Sequence, residues 1–309
     1  MNQNTLPSSS NIDIETSKVK KGIIADLKSL FKAGVLISNV VPVFSGFWLS
    51  LFLSNELFSD YMNIFLLTLI GSTLVMAGAL VINNWYDVDI DRVMARTKKR
   101  PTVTGTISLP VVLTVGIVLT IVGFGLLCFT TAETVFYAFV GWFTYVVLYT
   151  MWSKRRFTLN TVIGSVSGAV TPLIGWSAVQ PSNHIIPIIL FLILFIWQMP
   201  HTFAIAMKKC DEYKAAGVAM LPVVHGFGIT KRQMFIYIAC LLPLPFYLVS
   251  LGLTFVIVAT VLNIGWLLLS IKGFSVKDEW KWAHYMFLYS VNYIMILFIM
   301  MVLVTLPIL

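Results

Sequence analysis

Apolar runs long enough to cross a bilayer recur along the whole chain, and this constrains its fold more than any other feature. A transmembrane helix needs about 20 predominantly apolar residues. Nine such segments stand out, at about 33–54, 62–83, 109–128, 133–152, 161–179, 185–206, 234–251, 253–271 and 282–307. They lack period-two alternation and are too long for barrel strands, so the expected fold is all-α and polytopic. Composition agrees: mean hydropathy is +0.90 and 11% of the 309 residues are charged, against about a quarter in a soluble domain. Residues 1–17 are polar, include Asp13 and Glu15, and contain no apolar h-region. The first span, and not a cleaved signal peptide, is therefore expected to direct insertion. Cys128, Cys210 and Cys240 have neither CxxC spacing nor an even count, and read as packing residues.

The charges give a separate test of this map. All 21 Lys and Arg residues fall in five segments, 18–32, 92–100, 154–156, 208–232 and 272–281, and nine spans place all five on one side. By the positive-inside rule the N terminus is cytoplasmic and the C terminus outside, in a multi-pass protein of the cell membrane. Residues 1–32 read as a cytoplasmic tail and 33–309 as the transmembrane domain. Within the tail, Ile23, Ile24, Leu27, Leu30 and Phe31 lie at helical spacing between lysines. This suggests an amphipathic helix on the anionic leaflet that anchors the protein and does no chemistry.

Two inner connections, 2–3 and 6–7, run to about 25 residues, and unusually long connections tend to be functional. The first contains NNWYDVDIDRVMARTKKRPTVTG, from Asn83 to Gly105. Asn83, Asp87 and Asp91 are four apart, so a continuing helix puts them on one face. Two carboxylates and an amide are hard oxygen ligands of the kind Mg²⁺ takes. The same spacing also suits a solvated helix end whose aspartates pair with Arg92 and Arg96. Asp89 points elsewhere. Arg96, Lys98, Lys99 and Arg100 follow, and Pro101 stops the helix. This cluster sets topology in any case, and a metal site beside arginines is also how proteins hold a diphosphate. An apolar cavity behind it would suit a lipid diphosphate. The second connection, PHTFAIAMKKCDEYKAAGVAMLPVVHG, offers His201 near the inner end of span six, then Asp211, Glu212 and Tyr213. His201 is read either as a hydrogen-bonded packing residue or as a haem or substrate contact.

At this point the residues carry a resemblance. Asn83-x-x-x-Asp87-x-x-x-Asp91, followed by Arg96-Thr97-x-x-Arg100-Pro101, resembles the first signature of the UbiA-type intramembrane prenyltransferases. Members commonly have Asp after the first Asn, where this chain has Asn84. Their second signature usually opens with Asp, where this chain has His201. Both departures are similar to the branch of the family that prenylates haem, as are the 6–7 connection and NTVIGSVSGAVTPLIGW from Asn160 to Trp176. The likeness covers roughly residues 30–305.

The resemblance implies nine helices around a central cavity open to the cytoplasmic side and the bilayer. Gly164-x-x-x-Gly168 fits independently, because small residues four apart let helices approach closely. It implies farnesyl diphosphate and haem B as substrates, haem O and diphosphate as products, Mg²⁺ as cofactor, and a haem A synthase as functional partner. Asn83, Asp87 and Asp91 would then be the catalytic metal-binding set, with Asp211 in support. Arg96, Lys98, Lys99 and Arg100 would bind diphosphate, and His201 and Tyr213 would bind or orient haem. Action on a quinone or chlorophyll precursor is the nearest alternative. A transporter is the alternative from another class, and against it no Asp, Glu, Lys or Arg lies near the middle of any span. Membrane lipids are the expected surroundings, and no feature points to nucleic acid.

Overall fold

In the structure, a computed structural model, residue 22 and residues 24–306 are described. The elements are α1 (24–30), α2 (Ala33–Ser54), α3 (Met62–Tyr86), α4 (Val88–Val93), α5 (Pro101–Thr104) and α6 (Leu109–Leu127). Next come α7 (Ala132–Phe143), continued by a π-helical stretch (Thr144–Ser153), then α8 (Asn160–Ala169), α9 (Thr171–Ser177) and α10 (Ile185–Lys208). The chain ends with α11 (Cys210–Ala215), α12 (Leu221–Leu241), a 3₁₀ stretch (Leu244–Leu251), α13 (Leu253–Lys272) and α14 (Glu279–Leu303). The described residues include no strand.

Among the described residues, eight helical segments are long and apolar enough to cross a bilayer, which makes this an all-helical membrane protein. Large apolar side chains such as Ile37, Val118, Ile121, Phe136, Val261 and Leu268 face outward, as lipid contact requires. The expected fifth span differs from the other eight: it is broken at Val170 into α8 and α9. The cause is local. Pro172 has no N–H to give to the Gly168 carbonyl, and the Thr171 hydroxyl donates to that oxygen instead, at 2.6 Å. The seventh span begins earlier than expected, because α12 is already helical from Leu221, with a kink at Gly226, and a turn at 242–243 leads into the 3₁₀ stretch.

Packing brings α3 along α6, α2 along α9, and α10 against α8, α12 and α14. Gly164 and Gly168 serve the close approach expected of them. A Cβ on Gly164 would stand 2.8 Å from the Tyr149 ring, and one on Gly168 would stand 2.5 Å from the Gln198 amide.

The two long connections are folded and meet each other at the basic end. Ile90 and Met94 from the first pack with Ala206, Val218 and Met220 from the second. The Ala95 N–H donates to the Glu212 carboxylate at 3.1 Å.

Lys18, Lys20, Lys21 and Ile23 of the expected amphipathic helix lie outside the described residues, but 24–30 is helical. Leu30 is buried against Val81 and Val112, and its carbonyl accepts from Asn84 Nδ2 at 2.6 Å. The chain then turns at Lys32, whose φ of 46° and ψ of 53° are left-handed, a conformation that costs a non-glycine residue about 1–2 kcal/mol. This turn aims Lys32 inward. Beside the anchoring expected of the segment, Lys32 lines the cavity described next.

Candidate active site

Asn83, Asp87 and Asp91 share one face, although the helix carrying them is interrupted. Asp87 leaves helical geometry at φ −92°, ψ 17°. The Asp87 N–H still reaches Asn83 O at 3.0 Å and the Asp91 N–H reaches Asp87 O at 2.9 Å, so the four-residue register survives. All three side chains are buried, each less than 5% exposed, and buried carboxylates need partners. Asp91 takes Arg100 at 2.5 Å. Asp87 Oδ2 accepts from Lys154 and, at 2.8 Å, from Asn83 Nδ2. Asn83 Nδ2 also donates to the Thr150 hydroxyl at 2.9 Å, while its oxygen accepts from Lys32. Asp89 is exposed and forks with Arg155 at 2.5 and 2.7 Å. That guanidinium holds the Asp89 carboxyl below its usual range.

The π-helical stretch explains how one segment aims four polar groups into this site. With i→i+5 bonding, such as the Lys154 N–H to Tyr149 O at 2.9 Å, residues five apart come into line. The Thr150 hydroxyl donates to Tyr145 O at 2.8 Å, and Lys154 Nζ lies 5.8 Å from the Tyr149 ring centre. An α-helix would have rotated these pairs apart.

Two cavities adjoin here. The polar one, about 170 Å³, is lined by Asp87 and Asp91 against Lys32, Arg96, Arg100 and Lys154, with Asn83 and Tyr213. Two acids among four bases leave it positive, as an anion site must be. Burial and the nearby Arg100 and Lys154 push the Lys32 ammonium below its ordinary pKa, and burial raises the Tyr213 phenol. The second cavity, about 240 Å³, is mainly apolar, with Val75, Met76, Ala79, Leu80, Trp142 and Ile174 among its walls. Val35, Tyr145 and Tyr149 line both, so the expected apolar space behind the charge cluster is present.

Among the described residues no three His, Cys, Asp or Glu side chains converge as a full metal cage. What the site offers is two carboxylates and an amide. Asp87 Oδ1 is buried without a hydrogen-bond partner. Few protein oxygens, with the remaining positions left to water and phosphate, is the usual arrangement for Mg²⁺ in phosphate chemistry. The donor set fits such an ion.

The structure brings together Asn83, Asp87, Asp91, Arg96, Arg100 and Tyr213 at one cavity. It does not bring in Lys98 and Lys99, which are exposed and off the lining, nor Asp211, which is exposed on α11. From that helix it is the neighbouring Glu212 that ties the two connections together. His201 is half-buried and faces α14, outside both cavities. Lys32, Tyr145, Tyr149, Thr150 and Lys154 join the site without having been singled out. Lys32 and Lys154 were counted only as topology charges, although each abuts a span end.

Comparison with known proteins bears on this geometry. The UbiA prenyltransferase family matches residues 39–291. A protein of Oceanobacillus iheyensis named protoheme IX farnesyltransferase is 55% identical, covering 92% of this chain and 91% of that one. Its namesake in Geobacillus kaustophilus is 53% identical, covering 93% of each. A solved digeranylgeranylglyceryl phosphate synthase superposes with a TM-score of 0.73 at 20% identity, covering 91% of this chain and 98% of that one. A UbiA homolog from Archaeoglobus fulgidus bound to DMAPP and Mg²⁺ does so at 0.68 and 16%, covering 88% and 99%.

Proposed function

The chain belongs to the UbiA prenyltransferase family, and on that premise we propose that it carries out the reaction its curated relatives are named for. It transfers a farnesyl group from farnesyl diphosphate to a vinyl group of protohaem IX, giving haem O and diphosphate. The observation that carries the chemistry is the polar cavity, two carboxylates among four basic side chains, sharing Val35, Tyr145 and Tyr149 with the apolar cavity beside it.

Asn83, Asp87 and Asp91 would hold Mg²⁺, which when bound neutralises charge on the leaving diphosphate and so eases C–O cleavage. Lys32, Arg96, Arg100 and Lys154 bind the remaining phosphate oxygens. The apolar walls take the prenyl chain and keep water from the allylic carbon as positive charge develops there. The terminal vinyl carbon of haem forms the new C–C bond to farnesyl C1 as the C1–O bond breaks. Water then adds at the vinyl carbon next to the ring and releases a proton, leaving the hydroxyethylfarnesyl side chain.

We count α8 and α9 together as one crossing, which gives nine around the central cavity. Counting the basic ends as cytoplasmic puts the site at the inner face of the cell membrane. A haem A synthase, which would use the product, is the expected functional partner.

Purified protein incubated with haem B, farnesyl diphosphate and Mg²⁺ is expected to yield haem O by mass spectrometry. Prenylation of a quinone precursor with no haem O would overturn the assignment.

A further inference from the structure

The apolar cavity carries a polar strip where α10 meets α8. Gln198 and Thr202 of α10 line it beside Ser165 and Gly168 of α8. Gln198 Nε2 donates to Ser165 O at 3.1 Å and to Leu194 O at 3.0 Å. An amide nitrogen has two protons, so both are committed and the amide cannot flip without losing both bonds. Its Oε1 is thereby fixed beside Gly168, where a Cβ would stand 2.5 Å from it. The hydroxyls around it are turned to the backbone. Ser165 donates to Thr161 O at 2.7 Å, and Ser167 and Thr171 donate to Gly164 O and Gly168 O at 2.6 Å each. Among the described residues, Gln198 Oε1 and Thr202 Oγ1 have no protein hydrogen-bond partner.

Gln198 and Thr202 are four apart, so they share one face of α10 with their Cβ atoms about 5–6 Å apart. A fixed acceptor and a hydroxyl at that separation suit one water bridging them, in a cavity of about 240 Å³. The pair also stands close to the chemistry. Gly168 is one turn, about 5.4 Å, along α8 from Gly164. A Cβ on Gly164 would meet the Tyr149 ring, and Tyr149 belongs to the wall shared with the polar cavity. Haem O formation makes two opposite demands on water. Water must stay away from the allylic carbon until the C–C bond forms, and must then reach the vinyl carbon next to the ring. One water held by the protein meets both demands, where bulk water would meet only the second.

We propose that Gln198 and Thr202 hold the water that hydrates the prenylated vinyl group. The inference rests on the haem-prenylating reading above and assigns its second half to named side chains. Once farnesyl C1 is bonded to the terminal vinyl carbon, positive charge lies on the vinyl carbon next to the ring. A lone pair of the held water forms the C–O bond there, while Gln198 Oε1 keeps one O–H and the Thr202 hydroxyl orients the molecule. The other proton leaves to the diphosphate released in the first half. Without the held water, the cation sheds a proton from the neighbouring CH₂ and leaves an alkene, lighter than haem O by one water.

The test incubates the full-length protein in detergent with haem B, farnesyl diphosphate and Mg²⁺, and separates haem O from the alkene by mass spectrometry. The readout is the share of prenylated haem that carries the hydroxyl, which a merely structural role would not move. Gln198→Met is expected to lower that share about tenfold, the scale of one charge-assisted hydrogen bond, with the alkene in its place. Gly168→Ala does the same with the amide still present, because the new Cβ pushes aside the far end of a flexible side chain. Thr202→Val lowers the share and Thr202→Ser keeps it. An unchanged share in either Gln198→Met or Gly168→Ala would overturn the assignment. So would the loss of haem O and alkene together in a Gln198→Met protein with wild-type dichroism, since the amide would then act before the C–C bond forms. The wild-type preparation separates the two claims. If it makes haem O while the variants keep its share, the reaction stands and the water site fails. If it makes no prenylated haem, the reaction itself fails.

Discussion

At Asn84 one buried amide meets two demands of opposite sign. Its Nδ2 donates to Leu30 O at 2.6 Å and its Oδ1 accepts from Arg100 at 2.8 Å. An aspartate there could keep the arginine but would face the Leu30 carbonyl with a second acceptor. This gives a physical reason for the departure from the family's usual Asp. Asn84→Asp is expected to cost about 1–3 kcal/mol locally and to loosen 24–30 from α3. Limited proteolysis near the N terminus reads that directly, and unchanged protection would contradict it. Lys32 belongs to the same scale. Lys32→Ala is expected to raise KM for farnesyl diphosphate about tenfold or more, with Lys32→Arg recovering part of the loss, as removal of one cation from a charge-assisted phosphate contact predicts. Equal KM values for wild type and Lys32→Ala would remove Lys32 from the site. Spacing made Asn83, Asp87 and Asp91 legible in the sequence, because i, i+4, i+8 is a local rule. Lys32 and Lys154 were not legible, because their partners lie 51 and 67 residues away.

Between residues and molecule, the elements explain what periodicity alone could not. Span ends came within a few residues for most helices, since apolar length is a direct signal. Two irregular elements did not announce themselves as such. The stretch Thr144–Ser153 reads as ordinary apolar helix, yet its π geometry decides which side chains reach the cavity. The break at Val170 follows from Pro172, a visible residue whose effect depends on the Thr171 hydroxyl taking over the freed carbonyl. Gly164 links these two elements, for any β-carbon there meets the Tyr149 ring. Gly164→Val is therefore expected to displace Tyr149 from the wall that the two cavities share, lowering haem O turnover at least tenfold while the protein still inserts and folds. Wild-type turnover in that variant would contradict a role for Tyr149 in that wall.

For the whole molecule, hydropathy and charge together dictate a helical membrane protein, and the candidate site lies at its basic end. The two long connections stood out in the sequence by their length, and their contact through Glu212 and Ala95 emerged only from the fold. Both connections supply walls of the polar cavity, Met94 and Arg96 from the first and Tyr213, Val218 and Met220 from the second. Removing divalent cations with a chelator is expected to stop haem O formation, and added Mg²⁺ to restore it, with the helical circular dichroism unchanged throughout. Turnover that continues in the chelator would separate Asp87 and Asp91 from metal chemistry. The central claim is that these two carboxylates grip a prenyl diphosphate for transfer to haem, and kcat for haem O formation by Asp87→Asn tests it most directly. A fall of at least about 10²–10³-fold, the scale of losing a group that stabilises developing charge, is the predicted result, in a variant whose dichroism matches wild type. Turnover within a few-fold of wild type would contradict it.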